Sequence, residues 1–517
     1  MLVVPALTQR NMRQIGMSDL SSREQGSVLD DIGLAALEQR LLADLDCLCY
    51  PPASWIDNAG GEQPDQVDVL IVGGGMCGLL MWFALRCAGI HNVRIIDQNV
   101  SGQEGPWVSY ARMQTLRSPK QLTGPAYGVG TLTFQAWYRA QCGADSWTAL
   151  DKIPRTMWMD YLRWYRKVLH IPVENGVSLT RVEPAREQLL RVNLKGSGAE
   201  ELVVRKLIYA TGRDGIARPN IPGFVSSISA ARWAHSSYNI DFDSLRDRRV
   251  SVVGVGASAV DNAAEALEAG AAEVRHLIRR KQMPTVNKMM GIGSFGFLAG
   301  YADLSDEWRW RFMQYSFATQ TPSPRGSTLR VSQHDNAYFH FDKSIDAIHE
   351  ENGALTVRFT DARELETDFI ILGTGFSTDP MARKELGEAA SAILLWEDVY
   401  TPPADEENAD LGRFPYLSAD FSFRQKSSKN PAENTSWLKN IHCFNYGATA
   451  SLGKVSGDIP GISEGARWLA RALASCLYRE DIETHWQAMQ AYSKPELLGD
   501  EWEATELPGP SPARKVI

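Results

Sequence analysis

Two clusters of small residues have the types and spacing to do chemistry. Gly73, Gly75 and Gly78 stand in a Gly-x-Gly-x-x-Gly turn. In such a turn the first glycine allows the tight bend and the second lets backbone approach a pyrophosphate. The third lets a helix lie against a strand, and that helix start offers free N–H groups to phosphate charge. About twenty residues further on, Asp97 ends the next apolar run, where a ribose needs a hydrogen-bond acceptor. A plain strand-end acid is the competing reading for Asp97 alone, and the spacing favours ribose. Gly254, Gly256 and Ala259 repeat the arrangement with a small third residue. There the next strand ends in Arg279-Arg280-Lys281 rather than in an acid. Cations suit a 2′-phosphate, so the second site favours NADPH over NADH, without choosing between Arg279 and Arg280. A solvated basic strand end that needs no ligand is the alternative. Two dinucleotide sites in one chain imply two cofactors that exchange a hydride, and FAD with NADPH is the natural pair.

These turns need strand-turn-helix-strand units to hold them. VDVLIVGGGMCGLLMWFALRCAGIHNVRIID supplies one from Val67, and RVSVVGVGASAVDNAAEALEAGAAEVRHLIRRK supplies the other over 249–281. Both fit a βαβ unit, and the chain reads as α/β with two Rossmann-like folds. Two short strand-plus-turn phrases follow them, Ala210-Thr211-Gly212 and Gly373-Thr374-Gly375. Residues 283–334 are rich in Gly, Pro and aromatics and read as an insertion or lid, with a helix expected around Ser305 to Phe317. A last glycine-bearing strand-helix phrase occupies 441–474, and the end of the chain reads as a loop. Before the first unit, a helical pattern runs from about Ile32 to Leu48, followed by Pro51-Pro52 and a polar linker.

Composition narrows the class. The 517 residues are 44% hydrophobic and 22% charged, which excludes a disordered or collagen-like chain and a disulfide-stapled mini-protein. A net charge of −9 disfavours a large nucleic-acid surface, so a small-molecule partner is expected. Seven cysteines without a Cys-x-x-Cys pair indicate neither a disulfide framework nor a metal site, and fit reduced thiols in a cytoplasmic protein. The N-terminus does not read as a secretory signal. The most membrane-like stretch, Val69 to Leu85, contains Gly73-Gly74-Gly75 and is better explained as a strand-turn-helix than as a span.

With these residues in place, the chain resembles the class B flavoprotein monooxygenases, which group flavin-containing, N-hydroxylating and Baeyer–Villiger monooxygenases. The matching parts span roughly 67–475. They are GGGMCG, Gly105-Pro106-Trp107, the ATG phrase, Gly254-x-Gly256-Ala257-Ser258-Ala259-x-Asp261, and GTGF at 373–376. The resemblance implies an NADPH domain inserted into a discontinuous FAD domain. The implied bounds are an extension and linker at 1–66, FAD domain at 67–225 and 376–494, NADPH domain at 226–375 with the lid at 283–334, and a tail at 495–517. It places Gly73, Gly75, Gly78, Asp97 and Trp107 on FAD, and Gly254, Gly256 and Ser258 on NADPH. It also brings Asp458 back to the flavin, against the simpler reading of Asp458 as a helix N-cap.

Departures from the family pattern bear on specificity. In SAARWAHSSYN, Ser229, Ala231 and Asn239 replace the Phe, Gly and Trp of the Baeyer–Villiger signature, and only His235 matches. His235 is expected to support the domain linker or the nicotinamide. Alignment on Ser118-Pro119-Lys120 puts Arg117 where flavin-containing monooxygenases offer an asparagine to the peroxide. Arg117 could instead hold a substrate carboxylate or phosphate, or bridge the domains through a salt bridge. The implied reaction passes a hydride from NADPH to FAD, adds O₂ to form a C4a-hydroperoxide, and oxygenates the N or S of a small molecule. Baeyer–Villiger oxygenation of a ketone, and a reductase passing electrons to a protein partner, are the alternatives. A homo-oligomer is left open.

Overall fold

The computed structural model describes residues 33–56, 66–186, 189–198, 200–351, 353–427 and 435–509. The N-terminal segment read for a secretory signal, the polar linker at 57–65 and the last eight residues, 510–517, lie outside the described residues.

Alternating and continuous runs of β-branched residues build two sheets. In the first, Val173–Asn175, Val93–Asp97, Gln66–Val72 and Glu201–Tyr209 lie side by side and parallel, with Ile441–His442 added parallel to the last. Leu190–Lys195 and Ser178–Pro184 extend it antiparallel. Gln66–Val72 is buried on both faces, which is why its sequence is nearly all apolar. The helix Met76–Cys87 behind it is buried from Met76 through Leu85, so the apolar run that imitates a membrane span is core. Among the described residues no helix is long and apolar enough to cross a membrane.

The second sheet is wholly parallel in the order Ala337–His340, Glu273–Leu277, Arg249–Val253, Phe369–Leu372 and Trp233–His235. An antiparallel meander, Ile345–Glu351, Ala354–Phe359 and Glu364–Thr367, packs Ile348, Leu355 and Val357 against Leu277, Ile370 and Leu372. Where the chain passes between the sheets, Ala217–Pro219 pairs antiparallel with Phe376–Thr378. Asn220 N–H also donates to the Gly375 carbonyl at 2.9 Å. The α/β class with two dinucleotide folds expected from the motifs is the fold observed.

The elements outside the sheets are tied down by specific contacts. Leu37, Leu41 and Leu45, spaced four apart on the helix Gly33–Cys47, are buried. The same helix accepts hydrogen bonds from Thr131 at Asp44 and from Trp164 at Glu38. In the 283–334 insertion, Asp306–Thr319 is helical, matching the expected helix. Trp310 and Met313 are buried with Trp396, Phe414 and Ala450, while Trp308 stays exposed. Tyr301 donates to the Ala450 carbonyl and Arg309 to the Ser451 carbonyl, so the insertion is anchored on the C-terminal part of the chain. A half-buried charge cluster joins the first sheet to the end of the helix Ile462–Glu480. Arg205 bonds Asp481 at 2.8 Å and Glu480 at 3.1 Å, and lies 3.5 Å from Asp68.

The two glycine turns are built on one plan. Gly73 N–H donates to the Ile96 carbonyl and Gly254 N–H to the Leu277 carbonyl. A Cβ on Gly73 would sit 2.5 Å from Ala210 O, and one on Gly254 would sit 2.7 Å from Gly373 O. The ATG and GTG phrases are therefore equivalent props under their turns. They differ in where the methyl sits: the first unit has Gly78 and Ala210, the second Ala259 and Gly373. A Cβ on Gly373 would lie 2.4 Å from Ala259 Cβ, too close for two carbons. Gly373→Ala is expected to destabilise the protein by about 1–3 kcal/mol in urea unfolding. Adding Ala259→Gly should restore part of that loss, and a double variant no more stable than the single one would show that the two positions do not share this contact.

Candidate functional site

The first turn opens onto a cavity of about 310 Å³ lined by Gly74, Gly75, Ser101, Gly102, Glu104, Arg163 and Arg166 among others. Gly73 sits at φ +108°, a conformation that side-chain-bearing residues rarely adopt. Asp97 is 7% exposed; its Oδ2 accepts from Gly74 N–H at 2.8 Å and its Oδ1 from Asn99 N–H at 2.8 Å. The carboxylate thus ties the end of the second strand to the glycine turn. Glu104 does similar work in the cavity wall, accepting from Arg166, from Asn175 and from Gly102 N–H. Arg163 donates to the Gly102 carbonyl at 2.6 Å. A glycine turn at a helix start with two arginines beside it matches the needs of a dinucleotide pyrophosphate, so the residues present fit FAD.

The 105–107 loop crosses this turn, with Gly105 Cα 3.8 Å from where a Gly75 Cβ would stand. Trp107 packs edge-on against Trp158 at 6.3 Å, and Arg155 donates to its carbonyl. The C-terminal phrase closes the far side. Asn445 Nδ2 donates to the Tyr209 carbonyl and Thr211 Oγ1, and Tyr446 N–H donates to the Gly212 carbonyl. Cys77, at the start of the helix that follows the turn, lies 3.6 Å from the Ser456 carbonyl. Burial, with Asp458 adding repulsion, pushes its thiol up to about 12. Asp458 therefore lies near the start of that helix, with Lys454 Nζ 3.4 Å from its carboxylate.

In the second unit His276 is fully buried, stacked on Phe339, and its Nδ1–H donates to the Gly254 carbonyl at 3.0 Å. Leu277 takes the part of Ile96, so Ile278, 1% exposed, occupies the place of Asp97. No carboxylate stands at that strand position. Arg279 and Arg280 follow it on the surface, and Arg280 donates to the Ala318 carbonyl at 3.0 Å. Ser258 is exposed in the first turn of Ala257–Glu268, and Gln320 Nε2 would lie 3.4 Å from a Gly256 Cβ. His235 is wholly buried. Its Nε2–H donates to the Gly375 carbonyl at 2.9 Å and its Nδ1 faces Ser237 Oγ at 2.8 Å, so both ring nitrogens are engaged within the protein.

Charged groups from four segments come within electrostatic reach of one another: Arg117 feels the charges of Asp261 on the helix of the second unit, of Arg213, which follows the ATG phrase, and of Asp458. Lost hydration lowers the Arg117 pKa and Arg213 lowers it further, while Asp261 and Asp458 oppose both. Arg213 lies 4.6 Å over the ring of Tyr446. Among the described residues neither guanidinium makes a contact-distance ion pair or hydrogen bond. Asp261 is 4% exposed with Oδ1 unpartnered, and burial raises its pKa. Two cations without a bonded counter-ion beside two carboxylates make a place where an anion can be held. The motif reading missed Arg213, His276, Glu104 and Asn445. Only Arg213 left a signal, its position directly after Ala210-Thr211-Gly212.

His276 makes the second turn sensitive to acid. Burial lowers its pKa from 6.5 to about 4. A histidine with a depressed folded value contributes stability that is present above about 6.5 and lost as pH falls through about 4. The loss is on the order of 3 kcal/mol. His276→Asn, which cannot titrate, is expected to flatten stability against pH over that window in denaturant melts. Equal slopes for both proteins would show that His276 does not carry the effect.

The chain matches the family described as Pyridine nucleotide-disulphide oxidoreductase over residues 70–290. It is 38% identical over 470 residues to the FAD-dependent urate hydroxylase of Xanthomonas campestris pv. campestris, covering 90% of this chain and 98% of that protein. Its fold is similar to the reduced form of ornithine hydroxylase from Pseudomonas aeruginosa, at 16% identity and a TM-score of 0.59. That likeness covers 80% of this chain and 99% of the other. The ornithine N-hydroxylase of Kutzneria sp. 744 gives 16% identity, the same coverage and a TM-score of 0.60. These two structures share the architecture, and the near-full-length sequence match carries the relationship further: the protein is an oxidoreductase that belongs to the class B flavoprotein monooxygenases.

Proposed function

We propose that the protein is an FAD- and NADPH-dependent hydroxylase of a small planar anion of the urate kind. The observation that carries this reading is the 38% identity to a urate hydroxylase over 98% of that relative's length. Arg117 and Arg213 support it, because urate is a monoanion at neutral pH and both cations lie without a bonded counter-ion at the junction of the two nucleotide turns. When bound, the flavin and nicotinamide supply hydride transfer and oxygen activation.

The chain's own residues hold and shield. The helix start after Gly75, with Arg163 and Arg166, holds the pyrophosphate of FAD. Asp97 fixes the turn and Trp107 closes over it. Gly254, Gly256 and Ser258 receive NADPH. Ile278 in place of an acid, followed by Arg279 and Arg280, supports the 2′-phosphate form. Arg117 and Arg213 orient the substrate anion in bidentate fashion. Asp458 stands beside the start of the flavin-turn helix. His235 acts as a positioning residue, holding the GTGF phrase through the Gly375 carbonyl. The anchored insertion, with Tyr301 and Arg309 bonded to the C-terminal part, excludes water from the junction.

N- or S-oxygenation is the second reading, supported by the fold shared with ornithine hydroxylases. NADPH-driven O₂ consumption with product analysis separates the two. Urate is expected to give one hydroxylated product per NADPH consumed, and stimulation only by amines or sulfides would overturn the urate reading. Arg117→Gln and Arg213→Gln should each raise KM for urate roughly ten- to a hundredfold while NADPH still reduces the flavin. In Arg279→Ala and Arg280→Ala, at least one variant should lose about tenfold in kcat/KM for NADPH and keep its NADH activity. An unchanged preference in both would remove the 2′-phosphate assignment.

A further inference from the structure

Away from the nucleotide turns, a thiol, an amine and a carboxylate meet on the back of the first sheet. Lys206, on Glu201–Tyr209, is 2% exposed, and its Nζ lies 2.6 Å from Glu480 Oε1 and 2.7 Å from Asn440 Oδ1. Cys476 sits one turn before Glu480 on Ile462–Glu480, and its Sγ donates to the same Oε1 at 3.3 Å. Sulfur and nitrogen thus share one carboxylate oxygen, which sets the thiol and the amine side by side. Cys476 is half-buried and Glu480 has 40% of its side chain exposed, so a small oxidant can reach the sulfur while Lys206 is held behind it.

We propose that Cys476 and Lys206 form an oxidative cross-linking site that staples the last long helix to the central sheet. In the first step the thiol and hydrogen peroxide give a sulfenic acid and water, the sulfur being oxidised by two electrons and the peroxide reduced. In the second, Lys206 Nζ attacks that sulfur. The S–O bond breaks, an S–N bond forms, water leaves, and the proton shed by the ammonium passes to Glu480. The oxidant is hydrogen peroxide, which bound FAD would release when its reduction of O₂ is not coupled to oxygen transfer. The geometry fixes the amine next to the sulfur, which favours condensation over further oxidation. The inference does not depend on the identity of the substrate.

The test uses the full-length, FAD-loaded protein exposed to hydrogen peroxide, then alkylated, digested and read by mass spectrometry. The expected product joins the Lys206 and Cys476 peptides, is lighter than their sum by two hydrogens, and is undone by dithiothreitol. Its formation should raise Tm reversibly, and Cys476→Ser should abolish both effects. Cys476 that stays fully alkylatable, or that proceeds to sulfinic acid with the Lys206 peptide unlinked, would overturn the proposal on the native chain alone.

Discussion

Everything in this structure hangs on the close approach of backbone to backbone beneath each glycine turn. At Gly73 and Gly254 the chain leaves a buried strand with a positive φ and passes over a carbonyl of the next crossing phrase, at Ala210 or Gly373, with no room for a Cβ. That contact sets where each helix begins, and the helix start is what faces the phosphate. It also ties the ATG and GTG phrases to the two turns, so the crossings between sheets are positioned by the same atoms that shape the nucleotide sites. The methyl group that one unit carries on the crossing phrase, the other carries on the helix. At Gly373 the missing Cβ makes room for Ala259 on the facing helix, while Gly78 is held to glycine by Gly73 O, 1.8 Å from where its Cβ would stand.

From this constraint the site follows. Because the crossings rise directly from the turns, the residue after each phrase is delivered to the space between the sheets. Arg213 arrives in this way from the first crossing. Arg117 comes from the loop after Trp107, Asp261 from the second helix and Asp458 from the segment returning to the first. The two arginines are accompanied by two carboxylates, so the junction gathers charge of both signs in a chain whose net charge is −9. An anion bound beside Arg117 and Arg213 would offset the hydration that Arg117 loses on burial, which supports the proposed substrate site.

What was legible in the sequence was what chain neighbours determine. The glycine spacings, the strand ending at Asp97 and the helix at 306–319 are set by residues within one element or its connecting turn. Their signals survive without a partner. Gly33–Cys47 was legible for the same reason, through leucines four apart. What was not legible depends on contacts between distant segments. His276 reads as an ordinary strand residue until Gly254 is placed above it. Glu104 gains meaning only when Arg166 and Asn175 close on it. By spacing alone the basic run after the second unit stands at the acid's position. The register instead puts buried Ile278 there and sets Arg279 and Arg280 further out.

With FAD at the first turn and NADPH at the second, hydride would pass directly from one cofactor to the other. Anaerobic mixing of the FAD-loaded protein with NADPH, followed at the flavin absorbance band, tests this most directly. First-order bleaching that saturates with NADPH concentration and needs no added protein is expected. A flavin that stays oxidised under NADPH, or is reduced only after an electron-transfer protein is supplied, would contradict it.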